Sequence, residues 1–172
     1  MRYLKLLVIS FVFVLAIWFS RASSAEKFIE PAKQDKCPVC GMFVYKYPNW
    51  IAQIIFKDGL YAVFDGPKDM FKYYFNISKY GKNKTKEDIA KIYATEYYTT
   101  EKVEAKDVYF VVGSDVYGPM GEELVPVKGR KEAEAFMKEH KGGKILTFEQ
   151  ITPADVSGAM KMQEMPEHDK RH

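Results

Sequence analysis

Cys37 and Cys40, two residues apart and followed by Gly41-Met42, are the first side chains in the sequence whose type and spacing could do chemistry. A C-x-x-C turn lets two sulfurs face one point, which suits a metal ion or an internal disulfide. Three readings of the pair stay open. A thioredoxin-like redox pair should follow a strand and open a helix, where the dipole lowers a thiol pKa. Here a polar stretch precedes it and Gly41-Met42-Phe43 leads towards a strand. A structural disulfide would suit an exported protein. A metal site would gain a soft thioether from Met42. A second candidate is Gly118-Pro119-Met120-Gly121. Core methionines sit on a periodic face, as Met70 and Met137 do, whereas Met120 is flanked by glycine and proline in a loop-like segment. Its thioether has room to approach another group, so a ligand role and simple gap-filling both fit.

Soft ligands select the ion. Thiolate and thioether sulfur favour Cu(I), whereas zinc would want more histidine, carboxylate or thiolate. The chain has 3 histidines, two of them in its final stretch (His168 and His172), so a zinc site built by this chain alone is poorly supported by the sequence. Met160, Met162 and Met165, with the same two histidines, resemble the methionine- and histidine-rich tracts of exported copper proteins. Methionines two apart do not share a helix face and would bind an ion only from a flexible chain.

The elements that must position these groups follow from periodicity. Residues 50–56 and 60–64 read as strands joined by Lys57-Asp58-Gly59, which has hairpin-turn chemistry. Asp65-Gly66-Pro67 opens a helix with Asp65 or Gly66 near its cap and an apolar face of Met70, Phe71, Tyr74 and Phe75. Residues 76–86 read as a loop with a solvated run of lysines, and 89–98 as a strand carrying Glu96 as a solvated carboxylate. Residues 105–113 and 122–127 are further strands, 130–140 an amphipathic helix stopped by Gly142-Gly143, and 144–148 a final strand. Strand-strand-helix-strand therefore occurs twice. The expected fold is α+β, two tandem ββαβ modules with small antiparallel or mixed sheets, each covered by one helix. The expected division is a leader over 1–25, a polar tether over 26–36, a first module over 37–100 with CPVCGM, a second over 101–150 with GPMG, and a flexible Met/His tail over 151–172.

The leader fixes the compartment. Arg2 and Lys5 start it, residues 6–19 are an apolar run interrupted only by Ser10, and Ser23-Ser24-Ala25 offers small residues for cleavage. That pattern implies export to the periplasm or cell envelope, and an uncleaved leader would tie the protein to the membrane. No cysteine follows the apolar run at a lipoprotein position. The net charge of +3 also belongs to the leader, since without Arg2, Lys5 and Arg21 acidic and basic residues balance. Bulk charge therefore gives no reason to expect nucleic acid. A length of 172 residues, 47% hydrophobic and 28% charged, suits one globular domain or two small ones and excludes a large multidomain enzyme.

Taken together, CPVCGM, then VYFVVGSDVYGPMGEELVPV, then a helix and a strand resemble the NosL family, copper chaperones accessory to nitrous oxide reductase. The likeness covers roughly residues 36–155. It implies a pair of ββαβ modules related to the organomercurial lyase fold. It also implies a non-enzymatic Cu(I) metallochaperone of the periplasm, whose partners are nitrous oxide reductase and its membrane maturation complex. Carried over residue by residue, it points to Cys40 and Met120 as copper ligands, with Cys37 and Met42 as additional ligands or switch groups. The lipid-bearing cysteine of better-known members is absent, and Pro38-Val39 follow a second cysteine where some members have histidine-tyrosine. The competing readings are a thiol redox protein or lyase-like enzyme using Cys37 and Cys40, and a copper chaperone for another cuproenzyme.

Overall fold

Strands β1 (Ala52–Phe56) and β2 (Tyr61–Phe64) form the expected antiparallel hairpin. Its turn closes because Gly59 adopts φ +82° and Asp58 Oδ1 accepts the Leu60 amide. The computed structural model describes residues 27–157, so the leader lies outside the described residues. β3 (Ile89–Thr95) pairs with the other side of β1, and β4 (Lys102–Glu104) with β3, giving the antiparallel order β2-β1-β3-β4. The sequence reading does not contain β4. Two of its three residues are charged and it lies at the sheet edge, where charge blunts unwanted pairing but hides the strand from a hydrophobic pattern. β5 (Tyr109–Gly118), β6 (Gly121–Val127) and β7 (Lys144–Leu146) form a second antiparallel sheet in the order β6-β5-β7. The α+β class and the repeated strand-strand-helix-strand order are as expected, with β4 added to the first half.

Helix α1 (Pro67–Phe75) starts where predicted, with Gly66 as its extended N-cap and Pro67 in the first turn. The segment read as a loop contains one helical turn, α2 (Ile77–Tyr80). α3 (Arg130–Glu139) and a final turn, α4 (Pro153–Val156), complete the set. Each sheet has its own helix as expected, α1 on the first and α3 on the second, and α1 also packs against the second sheet. Phe64 packs edge-on against Tyr73 with ring centroids 5.2 Å apart, and Phe71 packs edge-on against Phe110 of β5 at 5.1 Å. One core therefore runs through both halves. Alternation along the second sheet sends Phe110, Val112 and Leu124 into that core, and Val111, Val125 and Val127 towards Ala133 and Phe136 of α3.

Three further segments differ from the sequence reading. The stretch read as a tether is packed: the Ile29 amide donates to Gln53 Oε1 at 2.9 Å, Gln53 Nε2 donates to the Ile29 carbonyl at 2.8 Å, and Tyr61 Oη donates to Asp35. The tail read from 151 instead begins with buried Ile151 and Val156, ordered by Thr152 and Asp155 capping each other. Glu96 is 2% exposed, not solvated. It accepts from the amide and hydroxyl of Thr99 and from the Lys128 amide, clasping the β3–β4 turn to the end of β6. Its three donors offset its desolvation.

Candidate metal centre

Residues 36–43 form a closed turn. The Cys37 amide donates to the Met42 carbonyl at 2.9 Å, the Gly41 amide to the Cys37 carbonyl at 2.8 Å, and Lys36 bridges to Phe43. Gly41 takes φ +81°, which a side chain would resist, so the glycine after Cys40 is what lets the turn close. Both sulfurs then point at the start of α1. The Cys37 thiol donates to Asp69 Oδ2 at 3.5 Å, and the Cys40 thiol to Asp65 Oδ1 at 3.2 Å. Cys37, Asp65 and Asp69 are buried and Cys40 is half-buried, and one ligand atom from each of the four lies within 4.8 Å of the others.

Both cysteines are free thiols. Burial is the main reason their protons are held: Cys40 is pushed up to about 11, and Cys37 rises further. Asp65 adds to both shifts. A redox or nucleophilic cysteine needs the opposite, a pKa lowered by a helix N-terminus or a cation. Carboxylates are what the sulfurs face here. The chemistry suited to this arrangement is exchange of thiol protons for a metal ion.

The start of α1 is set by the second sheet. Gly66 has no side chain to cap the helix, and Glu123 of β6 takes that role, accepting the Lys68 amide at 2.5 Å and the Leu124 amide at 2.9 Å. The fit is close, since a Cβ on Gly66 would lie 2.1 Å from Glu123 Oε2. Lys72 sits one turn along α1, 3.1 Å from Asp69 Oδ1.

Met120 is 42% exposed at the tip of the β5–β6 hairpin. The pairing of β5 with β6 shifts register between Val112 and Tyr117, starting at Gly113 with φ +78°. Such a bulge bends the strand and re-aims the residues beyond it. Lys68 Nζ donates to the Met120 carbonyl at 2.6 Å, so the tip is tied to the same first turn of α1 that carries Asp69.

Of the four residues read as ligands, the structure brings Cys37 and Cys40 together and leaves Met42 half-buried in their turn. It ties the Met120 backbone to the first turn of α1 through Lys68. The tail methionines and histidines lie outside the described residues. Asp69 and Glu123 were missed by sequence reasoning, and Asp65 was read only as a cap. Two carboxylates four apart around a helix start were the available signal for the aspartates. Nothing local links either of them to Cys37.

The NosL family model matches residues 27–156. The copper-binding lipoprotein NosL of Stutzerimonas stutzeri is 29% identical over 143 residues, which cover 78% of this chain and 71% of that protein. The crystal structure of the copper chaperone NosL from Shewanella denitrificans has the same fold. Its TM-score is 0.65 at 23% identity, over 75% of this chain and 98% of that one.

Proposed function

Because the chain belongs to the NosL family, we propose that it is a Cu(I) metallochaperone of the cell envelope, with Cys40 and Met120 as core ligands and Cys37 and Met42 as additional sulfur donors. The observation that carries this reading is the half-buried Cys40 thiol beside Cys37 at the start of α1, the same helix start to which Lys68 ties the backbone of the exposed Met120. Thiolate and thioether sulfur are the donors Cu(I) prefers. Copper is cargo here, so the site must release it as well as hold it. Cys37 is enclosed while Cys40 is half-buried and Met120 exposed, so a partner's sulfur or imidazole would enter at the accessible donors before the donor bonds break.

We further propose delivery to nitrous oxide reductase through its membrane maturation complex, after export by the leader. Among the described residues no helix is long and apolar enough to cross a membrane. Anaerobic titration of the reduced protein with Cu(I) against a competing chelator tests the binding. Cys40→Ala and Met120→Ala should each weaken it at least about tenfold; binding unchanged in both variants sinks the proposal. For delivery, copper in the reductase of a strain lacking this gene should be restored by the wild type and not by Cys40→Ala. Full copper content without the gene points to another cuproenzyme as recipient.

A further inference from the structure

We infer that Cys37, Cys40, Asp65 and Asp69 form a second coordination mode of this centre, a two-sulfur, two-oxygen site for a divalent ion of the zinc class. It shares Cys37 and Cys40 with the copper reading but does not depend on copper binding. The sequence, counted by its histidines, argued against zinc. The fold supplies the oxygens that this count left out, by bringing the start of α1 against the C-x-x-C turn.

The geometry fits a tetrahedral ion. With Zn–S near 2.3 Å and Zn–O near 2.0–2.2 Å, neighbouring donors of a tetrahedral zinc site stand roughly 3.4–3.8 Å apart. Cys37 Sγ to Asp69 Oδ2 is 3.5 Å and Cys40 Sγ to Asp65 Oδ1 is 3.2 Å, and all four donors lie within 4.8 Å of one another. Two of the six donor pairs thus stand close to tetrahedral spacing, and the other four need to close from at most 4.8 Å.

A Cu(I) carrier does not call for these oxygens, because a soft monovalent ion is satisfied by few sulfur donors. Holding the two thiols would use one oxygen of each carboxylate. Asp65, however, is fully buried, and its Oδ2 has no hydrogen-bond partner among the described residues. Buried polar atoms are rarely left unpaired, and a cation held by the Asp65 carboxylate beside the Cys40 sulfur would supply the missing partner. Two thiolates and two carboxylates leave negative charge in excess around a divalent ion. Lys72 beside Asp69 and the amides of the first turn of α1 offset part of it. Zn2+ and Cu(I) would then compete for Cys37 and Cys40 while drawing on different companions, aspartates for one and methionine sulfur for the other.

The experiment is anaerobic titration of the reduced protein with Zn2+, and separately with Cu(I), each against a competing chelator. One equivalent of Zn2+ should bind, weakened at least about tenfold by Asp65→Asn and by Asp69→Asn, neither of which should weaken Cu(I) binding, since losing a carboxylate beside the thiols eases their deprotonation. Met120→Ala should do the reverse. X-ray absorption of the Zn2+-loaded wild type needs no variant to fold, and should give two sulfurs near 2.3 Å and two oxygens near 2.0–2.2 Å. Absence of Zn2+ binding, binding indifferent to both aspartate variants, or an imidazole shell from the histidines would overturn the inference. Failure of Cu(I) to bind would count against the copper reading alone, and the Zn2+ arm would still decide this one.

Discussion

Glu123 Oε1 lies 2.5 Å from the Lys68 amide nitrogen, so a carboxyl of the second sheet caps the helix that presents Asp69 to Cys37. Burial pushes the Glu123 carboxyl up to about 8 from 4.5, against the pull of the Leu124 and Lys68 amides. The folded protein therefore keeps a proton that the unfolded chain has lost throughout the interval from about 4.5 to about 8. Stability must fall as pH rises across that interval and level off above it. The cysteine thiols, ordinarily at 9.0 and raised here, titrate only above it. Glu123→Gln has no proton to lose, so its denaturant midpoint should be flat where that of the wild type declines. Parallel pH profiles for the two proteins would show that Glu123 is not held protonated by the fold.

The contact between Gly66 and Glu123 predicts a coupled pair. A Cβ at position 66 meets Glu123 Oε2 at 2.1 Å, while the backbone there is extended and tolerates any residue. Gly66→Ala should cost about 1–3 kcal/mol through overpacking alone. In a Glu123→Ala background that cost should shrink, giving a coupling energy of about 0.5–3 kcal/mol in a double-mutant cycle. Gly41→Ala is the contrast, having φ +81° and open space around it. Its cost, about 1–2 kcal/mol from the backbone, should be the same with or without Glu123. Urea unfolding of the six proteins measures both.

Much of this fold was legible in the sequence because its signals are local. Lys57-Asp58-Gly59 specifies a turn, Gly66-Pro67 a helix start, and residues 109–112 a buried strand, each from a few neighbours. The site was half legible for the same reason. A C-x-x-C turn declares its own sulfurs, but the carboxyls they face lie 25 and 32 residues away. Glu96 and Glu123 were opaque for a related cause. An alternating pattern marks a charged residue as solvent-facing, and only the donors gathered from distant turns make its burial tolerable. β4 and the packed stretch before Cys37 have too little apolar periodicity to register at all.

Thiol reactivity is governed by the same contacts. With Cys40 raised from 9.0 to about 11, its thiolate fraction near neutral pH is about a hundredfold below that of an unperturbed cysteine. Alkylation by iodoacetamide should be slowed by a comparable factor in the folded protein, and Cys37, more deeply buried, should react later still. Asp65→Asn removes one of the groups that raise the Cys40 pKa and should speed its modification. Peptide mass mapping over time resolves the two cysteines. Cys40 reacting as fast in the folded as in the unfolded chain would contradict the burial argument.

Lys68 offers a way to loosen Met120 without touching its sulfur. Its ammonium donates to the Met120 carbonyl at the exposed hairpin tip, where a single contact contributes little to global stability. Lys68→Ala should therefore unfold within about 0.5 kcal/mol of the wild type. Amide exchange at the paired tip residues Gly118 and Gly121 should nonetheless quicken, because the tip loses its tie to α1. Cu(I) affinity, read by chelator competition, should fall a few-fold, less than in Met120→Ala, since the thioether remains and only its positioning is lost. The decisive arm is the double variant. If Lys68 acts through Met120, Lys68→Ala should have no further effect on Cu(I) affinity once Met120 is alanine. A loss of equal size in both backgrounds would mean that Lys68 influences Cu(I) binding independently of Met120, and that the hairpin tip does not depend on it for its position.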